Sequence, residues 1–277
     1  MAEEAHSTAE HASDRVDFME HILDSQELHL PWGHVQLPQQ IFGIDLTNVY
    51  GIDLSITRHV VMMWVAAIFM VVVLSVSTRR RSMVPHGFAN VIESVVLFIR
   101  NDIAIPNIGE KEAKPFMPFL LTVFFFILTC NLLGMIPYGA TATGNINVTA
   151  TLAICAFVVI QIGGIIHHGF FGYFLGLIPH GLPAWLLPII IPVEIVGLFT
   201  KPFALCIRLF ANMTAGHVII LSVLGLIFMF QSIALAPASV LFALAVSLLE
   251  IFVAFVQAYI FTLLTAVFVG MSVHQEH

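Results

Sequence analysis

The chain is poor in charged residues and in cysteine. Only 10% of its 277 residues are Asp, Glu, Lys or Arg, whereas 59% are hydrophobic, and the mean hydropathy is +0.97. A soluble domain has about 25% charged and about 45–50% apolar residues. Cys130, Cys155 and Cys206 lie in apolar stretches without metal-site spacing, so they predict neither a disulfide framework nor a metal centre. This composition indicates an integral membrane protein.

Basic residues are few, and none follows residue 208. All ten Lys and Arg residues lie at or before Arg208, and the formal net charge is −7. A protein that binds nucleic acid needs a basic surface to neutralise phosphates. The charge distribution therefore argues against nucleic-acid binding.

Residues 1–58 differ from the membrane domain predicted for residues 59–277. They hold ten of the seventeen acidic residues and no apolar run long enough for a signal peptide, so we expect a solvated acidic segment outside the membrane. Five histidines are unevenly spaced along it: His6, His11, His21, His29 and His34. This spacing favours scattered exposed histidines, and a metal site is the alternative.

Five stretches are long and apolar enough to cross a membrane, which takes about 20 mostly apolar residues. They are residues 59–78, 116–137, 146–168, 184–230 and 238–273. As helices, the last two would be about 70 Å and about 54 Å long, so they must tilt strongly, break, or both. The sequence therefore predicts an all-α integral membrane protein with about five membrane-embedded helices.

The two long tracts form a predicted antiparallel helical hairpin, because residues 231–237 turn the chain between them. We expect Pro202 to kink the first tract just before Arg208. Three further prolines are expected to make the first turns of that tract irregular: Pro183, Pro188 and Pro192.

The loop after the first span carries most of the remaining basic residues: Arg79, Arg80, Arg81, Arg100, Lys111 and Lys114. Basic loops lie in the cytoplasm, so the amino terminus is expected outside and the carboxyl terminus inside. Within this loop, residues 86–103 carry Glu93 and Arg100 and predict an amphipathic helix at the membrane interface. A simple connector is the alternative.

Polar residues at membrane depth are functional by default. They are Asn131, Asn145, Asn147, Glu194, Arg208, Asn212, His217, Glu250 and Gln257. At about 100° per residue, Arg208 and Asn212 share a helix face and His217 points the opposite way. Glu250 and Gln257 lie two turns apart along one face. The hairpin therefore holds the groups of a proton relay, divided between two faces.

Structural roles are the alternative. Amides such as Asn212 and Gln257 often bridge membrane helices by hydrogen bonds. Arg208 costs at least about 2.5 kcal/mol at the bilayer centre, so it needs a countercharge. That countercharge is either Glu194 or Glu250 in a structural ion pair, or a group on another protein.

Four stretches carry a family resemblance: NLLGMIP (131–137), NINVTATLAI (145–154), KPFALCIRLFANMTAGH (201–217) and LLEIFVAFVQAYIFTLLTAVFVG (248–270). Together they resemble subunit a of the F-type ATP synthase, the membrane stator subunit that conducts ions past the rotating c-ring. The resemblance covers about residues 59–277 and is most specific around Arg208.

The resemblance implies roles for individual residues. Arg208 matches the essential arginine that faces the carboxylate of each passing c subunit. Asn212 and Gln257 match polar residues flanking that arginine, and Glu194 matches an acidic position of the access pathway.

At two sites the chain departs from some members of the family. They have an acidic residue at the position of His217 and histidine at that of Glu250, so the pair is exchanged here. Some members also have an acidic residue at Gly134, and this chain does without that carboxylate.

The implied mechanism uses two aqueous half-channels that end on opposite sides of Arg208. Protons would enter from outside, and the residues expected along the entry are Asn145, Asn147, Glu194, His217 and Glu250. The implied partners are the c-ring, the b subunits of the peripheral stalk and the remaining ATP synthase subunits, in a bacterial plasma membrane. The chain itself has no nucleotide site, so no enzymatic activity and no cofactor are expected.

Two other function classes remain open at this point. A secondary transporter would use Arg208 to anchor an anionic substrate, but the sequence shows no inverted repeat. A purely structural scaffold does not explain several ionisable and amide groups in one hairpin.

Overall fold

A computed structural model describes residues 27–30, 33–37, 40–41, 44–45, 55–79, 87–136, 141–176, 187–230 and 236–274. Several predictions lie outside these residues: those on His6, His11, His21, Arg80, Arg81, Pro183 and residues 231–235 of the turn.

The described membrane domain is helical, as predicted. In chain order the helices are α1 (Arg58–Arg79), α2 (Phe88–Phe98), α3 (Ile105–Ile108), α4 (Ala113–Gly134), α5 (Ile146–Gly176), α6 (Leu187–Phe230) and α7 (Ala236–Val273). Five of them, α1 and α4 to α7, are long and apolar enough to cross a membrane. They coincide with the five predicted stretches to within a few residues, except that α5 continues past residue 168. The all-α membrane class is therefore confirmed.

Helix α6 is continuous over its 44 residues, although Pro192 and Pro202 lie inside it. A helix of that length is about 66 Å long, twice the thickness of a hydrocarbon core. The tract was expected to tilt strongly, to break, or both. Because α6 is a continuous helix, it does not break, and it has to tilt to fit within a bilayer.

Helix α5 changes direction at Gly169, whose φ of 73° and ψ of 165° are not helical. Glycine has no Cβ and reaches positive φ readily, so it is suited to this position. The predicted span ended at residue 168, next to this kink. The turns beyond it bring Tyr173 back against Gly164, where an added Cβ would lie 2.3 Å from the Tyr173 ring.

Residues 88–108, which precede α4, are helical as predicted. Helix α2 has no buried residue, and it runs into a π-helical turn, Ile99–Ala104, that leads to α3. Three residues of the π-helical turn are buried in the hydrophobic core: Ile99, Ile103 and Ala104. Three half-buried residues of α2 also pack against this core: Ile92, Val95 and Val96.

Part of the amino-terminal segment forms two short antiparallel hairpins, which the sequence analysis did not anticipate. Strand β1 (Glu27–Leu30) pairs with β2 (Gly33–Gln36), with Glu27 opposite Gln36. Strand β3 (Gln40–Ile41) pairs with β4 (Ile44–Asp45).

The chain divides into two compact units. The first unit comprises Met1–Ala67, Cys130–Asn145 and Phe210–Ala254, and the second comprises Ile68–Thr129, Ile146–Leu209 and Phe255–His277.

The second unit contains a large hydrophobic core, in which Leu120, Ile127, Phe261 and Val269 are fully buried. The chain packs closely at the end of α7, because a Cβ at Gly270 would lie 1.9 Å from the carbonyl oxygen of Asn107. Two histidines hold this end of the helix. The His274 ring donates a hydrogen bond to the carbonyl oxygen of Ile108 at 2.7 Å, and the His168 ring donates one to that of Val273 at 2.9 Å.

Candidate functional site

In the first unit, His217 lies between two polar side chains. Its Nε2 atom contacts the hydroxyl of Thr141, and its Nδ1 atom lies 3.6 Å from Oε1 of Glu250. Thr141 and Glu250 are each only 5% exposed, whereas His217 is half-buried. Three segments that are distant in sequence thus place the Thr141 hydroxyl and the Glu250 carboxyl at the two nitrogens of the His217 ring. The exchanged pair identified in the sequence, His217 and Glu250, is therefore a pair of neighbours in space.

Two glycines allow these side chains to approach each other. A Cβ at Gly134 would lie 1.9 Å from Oγ1 of Thr141, and a Cβ at Gly216 would lie 2.8 Å from Oε1 of Glu250. Such distances are too short for real atoms, so only glycine fits at either position without a rearrangement. The Thr141 side chain occupies the space beside Gly134. In the sequence, Gly134 stood out only because some members of the family have an acidic residue at this position.

A second polar contact lies in the same unit. Thr143 donates a hydrogen bond of 2.6 Å to Oδ1 of Asn131, and both residues are fully buried. The Nδ2 atom of Asn131 is also buried and has no hydrogen-bond partner among the described residues. Asn145 is half-buried at the end of the 3-10 turn Ala142–Gly144. Asn131 of α4 thus contacts the segment that carries Thr141.

Asn147 lies in the first turn of α5 and is exposed. Its carbonyl oxygen accepts a hydrogen bond of 2.8 Å from the Thr151 hydroxyl, a contact within the helix. Asn147 belongs to the second unit, whereas Thr141, His217 and Glu250 belong to the first.

Arg208 and Asn212 lie on an exposed face of α6, so the predicted shared face is confirmed. The buried face of the same helix carries Leu205, Leu209 and Met213, each no more than 1% exposed. Arg208 forms no ion pair with any described residue. Glu194 belongs to the same compact unit as Arg208, and the structure gives no support to a structural ion pair between these two residues.

On α7, Glu250 and Gln257 are both buried, with exposures of 5% and 1%. The shared face predicted from their seven-residue spacing is therefore confirmed. Gln257 adjoins Ala258 and Phe261, which are fully buried. The amide thus faces protein, whereas the guanidinium of Arg208 faces outward.

Glu194 lines a cavity of about 400 Å³ in the second unit. The cavity lies where α5 ends, α6 begins and α7 ends. Its polar lining consists of Gln161, Tyr173, Glu194, Lys201, Ser272 and His274. The Tyr173 hydroxyl contacts the side chains of Ser272 and Gln161, and the Lys201 ammonium lies 5.3 Å from the centre of the Phe268 ring. The cavity is therefore polar enough to hold water.

Glu194 belongs to the second compact unit, whereas His217 and Glu250 belong to the first, and their predicted common proton route stays a prediction. Sequence reasoning missed Thr141, Thr143, Tyr173, Ser272 and His274. A partial signal was present, since Thr141 and Thr143 lie in the polar run TATGN between two apolar spans. Within the described residues, no cluster of three His, Cys, Asp or Glu side chains is suited to bind a metal ion.

Comparisons of the amino-acid sequence with known proteins identify the family. The family model described as ATP synthase A chain matches residues 60–270. The chain is 53% identical over 274 residues to ATP synthase subunit a of Chloroherpeton thalassium, covering 96% of this chain and 80% of that protein. It is 54% identical over 229 residues to ATP synthase subunit a of Myxococcus xanthus, covering 82% and 75%. It is 50% identical over 281 residues to ATP synthase subunit a 2 of Prosthecochloris aestuarii, covering 99% and 84%. Because the family model covers residues 60–270 and these relatives are at least 50% identical, the chain belongs to the ATP synthase A chain family.

Proposed function

We propose that this chain, as the non-catalytic proton-translocating stator subunit of an FO sector, carries protons through two half-channels that are kept apart by Arg208. The observation that carries the proposal is the position of Arg208. It lies exposed on a membrane helix and has no ion-pair partner among the described residues.

An arginine at membrane depth needs a countercharge, because a charged group in hydrocarbon costs several kcal/mol, and the described part of this chain supplies none. A carboxylate on a c subunit of the rotor has the right charge. A guanidinium stays protonated in proteins, so Arg208 can attract the ionised carboxylate without carrying a proton itself. The rotor carboxylate would therefore lose its proton on approach to Arg208 and regain one on the other side.

For the outer half-channel, we assign the proton-exchanging roles to His217 and Glu250, with Asn131 and Asn145, which belong to the same compact unit, as lining groups. An imidazole and a carboxyl both bind and release protons, and these two lie 3.6 Å apart. A proton passed from this pair to the rotor neutralises its carboxylate. A neutral carboxylic acid costs far less to move into lipid than a carboxylate, so the ring can turn.

For the inner half-channel, we assign Glu194 and its cavity, which revises the outer route expected from sequence. If each long helix crosses the membrane once, the end of α5, the beginning of α6 and the end of α7 lie on one side. The basic loop after α1 favours the cytoplasm for that side. A water-filled cavity of about 400 Å³ there offers protons an exit.

This assignment includes the partners and the location that the sequence indicated. We infer contacts with the c-ring through the exposed face of Arg208 and Asn212, and with b subunits of the peripheral stalk. We also infer a bacterial plasma membrane, with the amino terminus outside and the carboxyl terminus in the cytoplasm. The secondary-transporter alternative has no support from the family or the relatives.

The test is ATP-driven proton pumping in membrane vesicles that contain the whole ATP synthase. Arg208→Ala should abolish pumping while the complex still assembles, and it should allow a passive proton leak because nothing then separates the half-channels. Gly225→Ala on the same helix is the control, because an added Cβ there meets no atom within 4 Å. Retention of more than about a tenth of the pumping by assembled Arg208→Ala complexes would contradict the proposal.

A further inference from the structure

We propose that Thr141 is a positioning residue for proton transfer: its hydroxyl holds the His217 ring so that Nε2 faces Thr141 and Nδ1 faces Glu250. The inference rests on the proposed role of His217 in the outer half-channel. It concerns a residue that neither the motifs nor the spacing of the sequence singled out.

The contacts of His217 carry the first step. Among the described residues, its polar neighbours are the Thr141 hydroxyl at Nε2 and the Glu250 carboxyl at Nδ1. Glu250 is the only titratable group of these two. A ring with one polar neighbour could rotate and present either nitrogen, whereas a ring with a different neighbour at each nitrogen has one preferred orientation.

The chemistry of a hydroxyl carries the second step. A hydroxyl both donates and accepts hydrogen bonds, whereas a carboxylate only accepts. Thr141 can therefore donate to Nε2 when the imidazole is neutral and accept from Nε2–H when it is protonated. His217 then keeps one orientation in both protonation states, so it can gain and lose a proton without turning its ring.

The local fold holds Thr141 in place. The 3-10 turn Ala142–Gly144 begins directly after it, and the amide of Gly144 donates a hydrogen bond of 2.9 Å to the Thr141 carbonyl oxygen. On its other side, a Cβ at Gly134 would lie 2.7 Å from the Cα of Thr141. The hydrogen bond from Thr143 to Asn131 fixes the same segment to α4. A residue held so firmly is suited to orient another.

The competing explanation is that Thr141 only fills space beside Gly134. Valine and serine separate the two explanations, because valine keeps the size of threonine without the hydroxyl and serine keeps the hydroxyl without the methyl group. Thr122→Val is the matched control. The Thr122 side chain is exposed, and its hydroxyl bonds to the carbonyl oxygen of Pro118 in its own helix.

In vesicles with the complete ATP synthase, we expect Thr141→Val to slow ATP-driven proton pumping by about tenfold, the effect of one lost hydrogen bond of typical strength. Thr141→Ser and Thr122→Val should keep at least about half of the rate. Normal pumping by Thr141→Val, or pumping by Thr141→Ser as slow as that of Thr141→Val, would overturn the inference. Co-purification of the c-ring reports assembly, and if Thr141→Val does not assemble, Thr141→Ala is judged by the same outcomes.

A double-mutant comparison separates this inference from the function on which it rests. If Thr141 acts through His217, adding Thr141→Val to His217→Ala should slow pumping no further. Normal pumping by His217→Ala would remove His217 from the proposed half-channel. Impaired pumping by His217→Ala together with normal pumping by Thr141→Val would reject the positioning role alone. An additive loss in the double variant would show that Thr141 acts independently of His217.

Discussion

The substitution Gly216→Ala tests whether the close approach of His217 and Glu250 matters for proton transport. The new Cβ would lie 2.8 Å from Oε1 and 3.0 Å from Cδ of Glu250. Ordinary van der Waals contact begins at about 3.4 Å, so the carboxyl group has to retreat by about 0.6 Å. This movement is feasible, because the group is the end of a flexible side chain. We expect it to lengthen the 3.6 Å separation between Nδ1 of His217 and Oε1 of Glu250.

The size of the effect follows from Coulomb's law. With an effective dielectric constant of about 20, a retreat of about 0.6 Å weakens the attraction between Glu250 and a protonated His217 by about 0.7 kcal/mol. That loss is about a threefold change in an equilibrium constant. We therefore expect Gly216→Ala to slow ATP-driven proton pumping by about threefold.

Two glycines of the same helix serve as controls. Added Cβ atoms at Gly197 and Gly225 would meet no atom within 4 Å. Alanine raises helix stability relative to glycine by about 1 kcal/mol at all three positions, so the controls carry the same change in propensity. The rates are measured in one vesicle preparation with the complete complex, and co-purification of the c-ring reports assembly. Equal pumping by Gly216→Ala and both controls would refute the reasoning.

Two more predictions concern the rotor face and the exchanged pair. A cysteine in place of the exposed Asn212 should crosslink to a cysteine placed near the rotor carboxylate of a c subunit. A cysteine in place of the fully buried Leu209 should not crosslink to it. Crosslinks are measured on a denaturing gel, and the reverse pattern would show that the rotor-facing surface is misassigned. The double variant His217→Glu with Glu250→His should recover a large part of the proton pumping that either single change removes, because the pair of positions again holds one imidazole and one carboxyl group. A double variant that pumps no better than the worse single variant would indicate that the pair is not a relay.

The membrane helices were predictable from sequence because the bilayer imposes a minimum length of apolar residues. The predicted start of the last tract, residue 238, lies two residues after the observed start of α7 at Ala236. Helical periodicity also predicted which residues share a face. Arg208 and Asn212 are both exposed, and Glu250 and Gln257 are both buried. These predictions use only residues that are neighbours along one helix.

The environment of each polar residue was not predictable in this way. Periodicity gives the direction of a side chain on its own helix, but it does not say which other segment packs there. Glu194 illustrates the limit, because Tyr173 and His274, which line the same cavity, come from the ends of two other helices. Local departures from α-helical geometry were not predicted from the sequence either, such as the kink at Gly169 and the π-helical turn Ile99–Ala104.

The sequence by itself determined that the chain is a membrane protein with five long helices, that Arg208 is an isolated cation among apolar residues, and that family motifs surround it. Only the tertiary structure decided that the Thr141 hydroxyl reaches His217 and that Gly134 leaves room for it. The physical reason is that insertion into lipid depends on the summed hydrophobicity of a continuous segment, which can be read from the sequence. A hydrogen bond depends on a few tenths of an ångström between segments that are distant along the chain, and that distance exists only once the helices have packed.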